Sequence, residues 1–133
     1  MAIVLPDGIL TNLTLGFVRK FIQDNARILA IVSLPRETFV PHGTGSKASV
    51  VFLQKFGEEV LQELKKKDYP VFMAVCEKIG YDIRGRTLLN EKGEYVSEDG
   101  EVVANKEDAA VDSEIADIVG KFKEFKLNND LKF

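Results

Sequence analysis

The sequence predicts an α/β domain in which a parallel strand–helix–strand unit is followed by an antiparallel strand, with further helices flanking the sheet. Two short apolar runs, Ala2–Leu5 and Ile28–Leu34, bracket a stretch of helical periodicity. Short apolar runs bounded by turn formers read as buried strands, and a helix between two of them reads as a crossover. A third run, Ala48–Lys55, follows the second with no helix between, so those two strands are expected to pair antiparallel.

The first run, Ala2-Ile3-Val4-Leu5, is expected to be a buried strand closed by a tight turn at Pro6-Asp7-Gly8. From Asn12, helical spacing puts Leu15, Val18, Phe21 and Ile22 on one face and Arg19, Lys20 and Asp24 opposite, with Asn25 as the stop. Ile28–Leu34 is almost uninterruptedly apolar, as expected for a strand covered on both faces. A loop over Pro35–Lys47 precedes the third strand. Glu58–Lys67 then reads as a short charged helix, Val71–Ile79 as a strand-like segment and Gly80–Arg86 as a polar turn. Asn90–Val103 carries the turn formers Lys92-Gly93 and Asp99-Gly100 and reads as an exposed hairpin or a mobile excursion. Asp112–Phe125 returns to helical spacing through Ile115, Ile118, Val119 and Phe122.

The length of 133 residues favours a single domain over 1–133, with the sheet core in 1–55 and a C-terminal extension in 56–133. An apolar fraction of 45% can fill one core, while 29% charged residues and a net charge of −3 give no footprint of a free-standing nucleic-acid binder. Any DNA contact must therefore be local or shared. Cys76 is the only cysteine and His42 the only histidine, which excludes an internal disulfide and a structural zinc site built on such ligands, so no metal is expected. Cys76 reads as a small core residue. No apolar run is long enough to span a bilayer, and Met1–Leu5 lacks the basic flank of a secretory signal, so the expected compartment is the cytoplasm and no membrane partner is expected.

In open α/β sheets, ligands bind beyond the carboxyl ends of the strands. Two segments qualify, Pro6-Asp7-Gly8 after the first strand and Pro35–Lys47 after the second. The latter is long for a compact domain, a property that long functional loops share. Arg36, His42 and Lys47 give it positive character, offset by Glu37; Thr38, Thr44, Ser46 and glycine amides can meet phosphate oxygens, or the whole can be a solvated loop. Lys47 can equally pack its stem along the sheet edge. Gly43-Thr44-Gly45-Ser46-Lys47 is not a nucleotide-phosphate loop, because that motif needs Gly-Lys-Ser/Thr entering a helix and here a strand follows. Asp7 reads first as a turn residue. Arg84 and Arg86 can contact DNA or a partner subunit, or belong to a surface turn; Lys65-Lys66-Lys67 reads as a solvated helix end.

Ile3-Val4-Leu5-Pro6-Asp7-Gly8-Ile9-Leu10, a helix containing Val18-Arg19, and Ser33-Leu34-Pro35 through Phe39 to Gly45-Ser46-Lys47-Ala48-Ser49-Val50-Val51-Phe52-Leu53-Gln54-Lys55 together resemble the segment downstream of the catalytic motif in modification subunits of type I restriction-modification systems, the N-6 adenine-specific DNA methyltransferases. The resemblance covers Ala2–Lys55 and extends more weakly through Gly80-Tyr81-Asp82 and Gly85-Arg86. It implies the C-terminal part of a Rossmann-like, S-adenosylmethionine-dependent methyltransferase sheet. The family's Asn-Pro-Pro-aromatic tetrapeptide and its Gly-rich cofactor turn do not occur in this sequence and are expected upstream of Met1.

The resemblance accordingly implies no catalytic and no cofactor-binding residue here, and no cofactor bound by this chain alone; S-adenosylmethionine belongs to the complete enzyme. It assigns the target-base side of the cleft instead. Such enzymes extrude adenine from the stack and hold it by stacking and edge hydrogen bonds. Phe39 matches the family's stacking aromatic, with the alternative that it is a loop hydrophobe anchored on the core; Pro35, Arg36, Gly43 and Lys47 accompany it. DNA, the missing N-terminal half, and specificity and restriction subunits are the implied partners. A non-enzymatic module that assembles with a separately encoded N-terminal half is the alternative. The uncovered side of the first strand is expected to be satisfied by self-association.

Overall fold

The computed structural model describes residues 1–65, 68–80, 84, 92, 94–97, 101–105 and 113–129. Its centre is a mixed four-stranded sheet built from β1 (Ala2–Pro6), β2 (Arg27–Ser33), β3 (Ala48–Gln54) and β4 (Phe72–Val75), in the order β1-β3-β2-β4. β3 runs antiparallel to both β1 and β2, while β4 runs parallel to β2. β1 and β2 therefore point the same way, as the crossover reading requires, but β3 lies between them. The antiparallel pairing of β2 with β3 agrees with the sequence expectation. A β-bulge between Ile28 and Ala30 inserts Leu29 as an extra residue and brings Ile31 opposite Val51.

The register divides the side chains between two faces, because successive residues of a strand alternate. Ile3, Val51, Ile31 and Met73 share one face; Ala2, Phe52, Ala30 and Phe72 share the other. α2 (Gly16–Asn25) lies over the first face and encloses, with the sheet, a cavity of about 260 Å³ lined by Leu10, Ile22, Ile28, Ile31, Val51 and Met73. α4 (Ile115–Asn128) lies over the second. Its Phe122 ring stands 6.2 Å from Phe52 and 5.3 Å from Phe72, and Phe125 stands 5.5 Å from Phe72. Leu29, Ala30, Ala48, Val51, Leu53, Cys76 and Ile79 form the buried core.

Three helical expectations need correction. The helix expected from Asn12 starts as one 3₁₀ turn, Leu13–Leu15, capped by the Asn12 side chain, which accepts from Thr14 N at 3.0 Å; only then does α2 begin. On α2, Phe21 is 66% exposed and Phe17 71%, while Arg19 turns inward to donate to Ile9 O (2.9 Å) and Asn12 O (2.7 Å). The Arg19 guanidinium thus satisfies carbonyls at the end of the preceding helical segment, and the apolar stripe is Leu15, Val18 and Ile22 without Phe21. On α4, Ile115 and Val119 are exposed, and the packed face is Ile118, Phe122 and Phe125.

The first strand is not buried. Ala2, Ile3 and Val4 are exposed, because among the described residues β3 is the only strand alongside β1. The Pro6-Asp7-Gly8 turn is also a correction: Pro6 closes β1, and Asp7 opens a short helix, α1 (Asp7–Thr11), with no positive φ at Gly8. α3 (Glu58–Lys65) is the charged helix expected there, with Lys66 and Lys67 outside the described residues. β5 (Tyr95–Val96) and β6 (Val102–Val103) pair antiparallel within the expected hairpin or excursion over 90–103, of which 90, 91, 93 and 98–100 lie outside the described residues. Of the expected turn over 80–86, only Gly80 and Arg84 are described.

Candidate functional site at the carboxyl edge of the sheet

β1, β2 and β4 all point toward one edge, so the segments after them meet there. Leu34 N donates to Ala48 O at 2.9 Å, which closes the excursion between β2 and β3 at its base. Within it, Arg36–His42 form a 3₁₀ helix, where the sequence reading has irregular loop. Pro35 enters it: its carbonyl accepts from Thr38 N (3.2 Å) and Thr38 Oγ1 (2.7 Å). The segment ends at Gly43, whose φ of 87° lies in the left-handed region that favours glycine. Gly43 N donates to Val40 O and Thr44 N to Phe39 O, so the terminal carbonyls are capped.

Phe39 sits in the middle of this 3₁₀ helix and is half-buried; Pro35 is half-buried, and Arg36, His42, Gly43 and Lys47 are exposed. Arg36 and Phe39 are thus carried on one short 3₁₀ helix that Gly43 ends. The half-buried Phe39 keeps both roles open to it, an anchor on the core and an accessible ring.

Asp7 joins the two sequence blocks. Its carboxylate accepts from Ser49 Oγ at 2.8 Å through Oδ1, and Oδ2 lies 3.8 Å from Lys47 Nζ; its backbone N–H donates to Lys47 O at 2.9 Å. Ser49, 3% exposed, is a buried polar residue beside the apolar run Val50–Leu53, and the bond to Asp7 satisfies it. Lys47 keeps a half-exposed side chain, so its contact with Asp7 is long and water-screened. Of the residues singled out in the sequence, Asp7 and Lys47 meet directly. Pro6 faces Ala48 in the register, and Gly8 lies in α1 with open space around its Cα.

A third contribution escaped the sequence reading. Cys76, just past β4, donates from its backbone N–H to Ser33 O at 2.8 Å, at the point where β2 gives way to the loop. The next two amides are held from another element: Glu114 Oε2 accepts from Glu77 N at 2.7 Å and from Lys78 N at 3.3 Å. The hydrogen bond from Glu77 holds the Glu114 carboxyl below the ordinary carboxylate range, with Lys78 and Lys121 adding to the effect against an opposing desolvation. Burial pushes the Cys76 thiol up and the Glu114 charge adds to it, against a hydrogen bond to the Lys78 carbonyl; Cys76, 1% exposed, is the small core residue expected from the sequence. The signal for Glu114 was an acid immediately before a helix, which by itself names no partner.

Among the described residues, no group of three or more His, Cys, Asp or Glu is arranged to hold a metal, and no helix is long and apolar enough to cross a membrane. The edge offers a half-buried aromatic ring at Phe39 and the exposed side chains of Arg36, His42 and Lys47. Neither a protein-family model nor a curated protein matches this sequence.

Proposed function

We propose that this chain is the target-base and DNA side of an adenine-specific DNA methyltransferase cleft, part of a modification enzyme in a type I restriction-modification system, acting in the cytoplasm and inactive alone. The observation that supports it most is the joining of two separate resembling blocks. Pro6-Asp7-Gly8 and Pro35–Lys47 lie at one carboxyl edge, tied by Asp7 to Lys47 and Ser49, where open α/β sheets receive ligands.

In this reading Phe39 stacks on the extruded adenine, a contact whose loss costs about 1–3 kcal/mol per base in single-stranded nucleic-acid complexes. Arg36 and Lys47 meet phosphate oxygens, while Gly43 ends the 3₁₀ helix and Pro35 sets where it starts. Asp7 keeps the loop base closed. The residues present do not fit S-adenosylmethionine: β1 runs straight into α1, and the carboxylate at that junction already accepts from Ser49 Oγ. The cofactor and the transfer chemistry therefore fall to the N-terminal half, and the specificity and restriction subunits complete the assembly.

Transfer of a tritiated methyl group to adenine-containing duplex DNA tests this. The chain alone is expected to transfer none. Adding an N-terminal half that carries the Gly-rich cofactor turn and the Asn-Pro-Pro-aromatic tetrapeptide is expected to restore transfer. Label incorporated by this chain alone overturns the proposal.

A further inference from the structure

We propose that the outer edge of β1 is an isologous interface at which two copies of this chain pair strand to strand. Met1 N donates to Leu53 O and Leu53 N to Met1 O, both at 2.8 Å, and Asp7 N donates to Lys47 O. The register between them is unbroken, from Ala2 opposite Phe52 to Pro6 opposite Ala48. In an antiparallel pair such hydrogen-bonded positions alternate. Met1, Ile3, Leu5 and Asp7 therefore turn their backbones toward β3, and Ala2, Val4 and Pro6 turn theirs outward. Among the described residues no strand lies on that side.

This edge is complementary to itself. A two-fold axis through Ile3, normal to the sheet, sets Ala2 opposite Val4 of the second copy and Val4 opposite its Ala2. Both pairs then exchange both hydrogen bonds, making four in all. Pro6, which has no N–H to give, falls outside them, as prolines of edge strands do. Sliding the axis to Val4 would pair Ala2 with proline and lose that reciprocity. The side chains agree with the first register: Ile3 meets Ile3 and Met1 meets Leu5 on one face, while Ala2 meets Val4 on the other. No charge faces another. Met1 is 79% exposed and Val4 50%, so pairing removes apolar surface from water as well as closing the edge. The product is a continuous eight-stranded sheet with two-fold symmetry. This interface is independent of the methyltransferase reading and can fail without it.

Sedimentation equilibrium of the full chain at about 10–100 µM is expected to give a dimer, the range in which weak interfaces are populated. Val4→Pro removes only outward donors, so it is expected to weaken self-association about tenfold or more while leaving the circular dichroism spectrum and melting transition in place. Ile3→Cys places two sulfurs across the axis in a non-hydrogen-bonded pair, whose spacing suits a disulfide, and is expected to give a covalent dimer on mild oxidation. Val4→Cys is expected to cross-link far less. A monomeric wild-type chain, an unchanged dimer in Val4→Pro, or cross-linking through position 4 rather than 3 overturns the proposal.

Discussion

Ser49→Ala tests the link between the two blocks at the carboxyl edge. The substitution removes one hydroxyl from a residue that is 3% exposed and that donates a 2.8 Å bond to Asp7 Oδ1. Hydrogen bonds to charged groups contribute about 1.5–3 kcal/mol. Asp7 is 28% exposed in its side chain and keeps Lys47 at 3.8 Å, so water replaces part of what is lost. The expected cost therefore lies near the lower end, about 1.5–2 kcal/mol. An unfolding entropy on the order of 0.28 kcal/mol/K for a domain of this size converts that into a fall in Tm of about 5–7 °C. Urea denaturation followed by circular dichroism measures the free energy. Hydrogen exchange at the Asp7 amide, which donates to Lys47 O, reports whether the loss is local. A destabilisation below about 0.5 kcal/mol, the scatter of ordinary surface substitutions, with unchanged exchange at Asp7, would refute the claim that this bond closes the loop base.

Three further predictions follow from the packing and the electrostatics. Phe122→Ala removes a half-buried ring packed on Phe52 and Phe72, for an expected loss of about 2–3 kcal/mol in urea melts, below the range for fully buried rings. Gly43→Ala adds a Cβ with nothing within 4 Å, so its cost is the backbone strain at φ 87° alone, about 1–2 kcal/mol by the same measurement. Glu114 has a lowered pKa in the folded state, so its contribution is present above the unfolded pKa and is lost as pH falls through the folded one. Wild-type Tm is expected to drop on acidification below the ordinary carboxylate range, and Glu114→Gln to show a smaller drop across that window.

The long-range order of the sheet was legible where local pattern is decisive. Ile28–Leu34 and Ala48–Lys55 are too apolar to be loops, and no crossover-length α-helical pattern lies between them, which leaves an antiparallel pair, as β2 and β3 form. The same pattern cannot tell an edge strand from a central one, so Ala2–Leu5 looked buried although Val4 is half-exposed. Pro6-Asp7-Gly8 has the composition of a turn, but Asp7 gains more by starting α1 and holding Ser49, a partner 42 positions away that no local rule reaches. Phe21 was placed inward by helical spacing; Arg19 took an inward position instead because the carbonyls of Ile9 and Asn12 needed a donor. The signal that was overlooked is Ser49 itself, a lone hydroxyl beside the apolar run Val50–Leu53, which burial obliges to find a partner.

If the loop carrying Phe39 serves the target base, as proposed, single-turnover methyl transfer depends on the Phe39 ring. The chain would be reconstituted with a cofactor-binding N-terminal half and compared with its Phe39→Ala and Phe39→Trp variants. Loss of one stacking contact of about 1–3 kcal/mol predicts a rate about 5- to 150-fold lower for Phe39→Ala, with Phe39→Trp staying near wild type because the aromatic face is kept. Equal rates for wild type and Phe39→Ala would contradict the account.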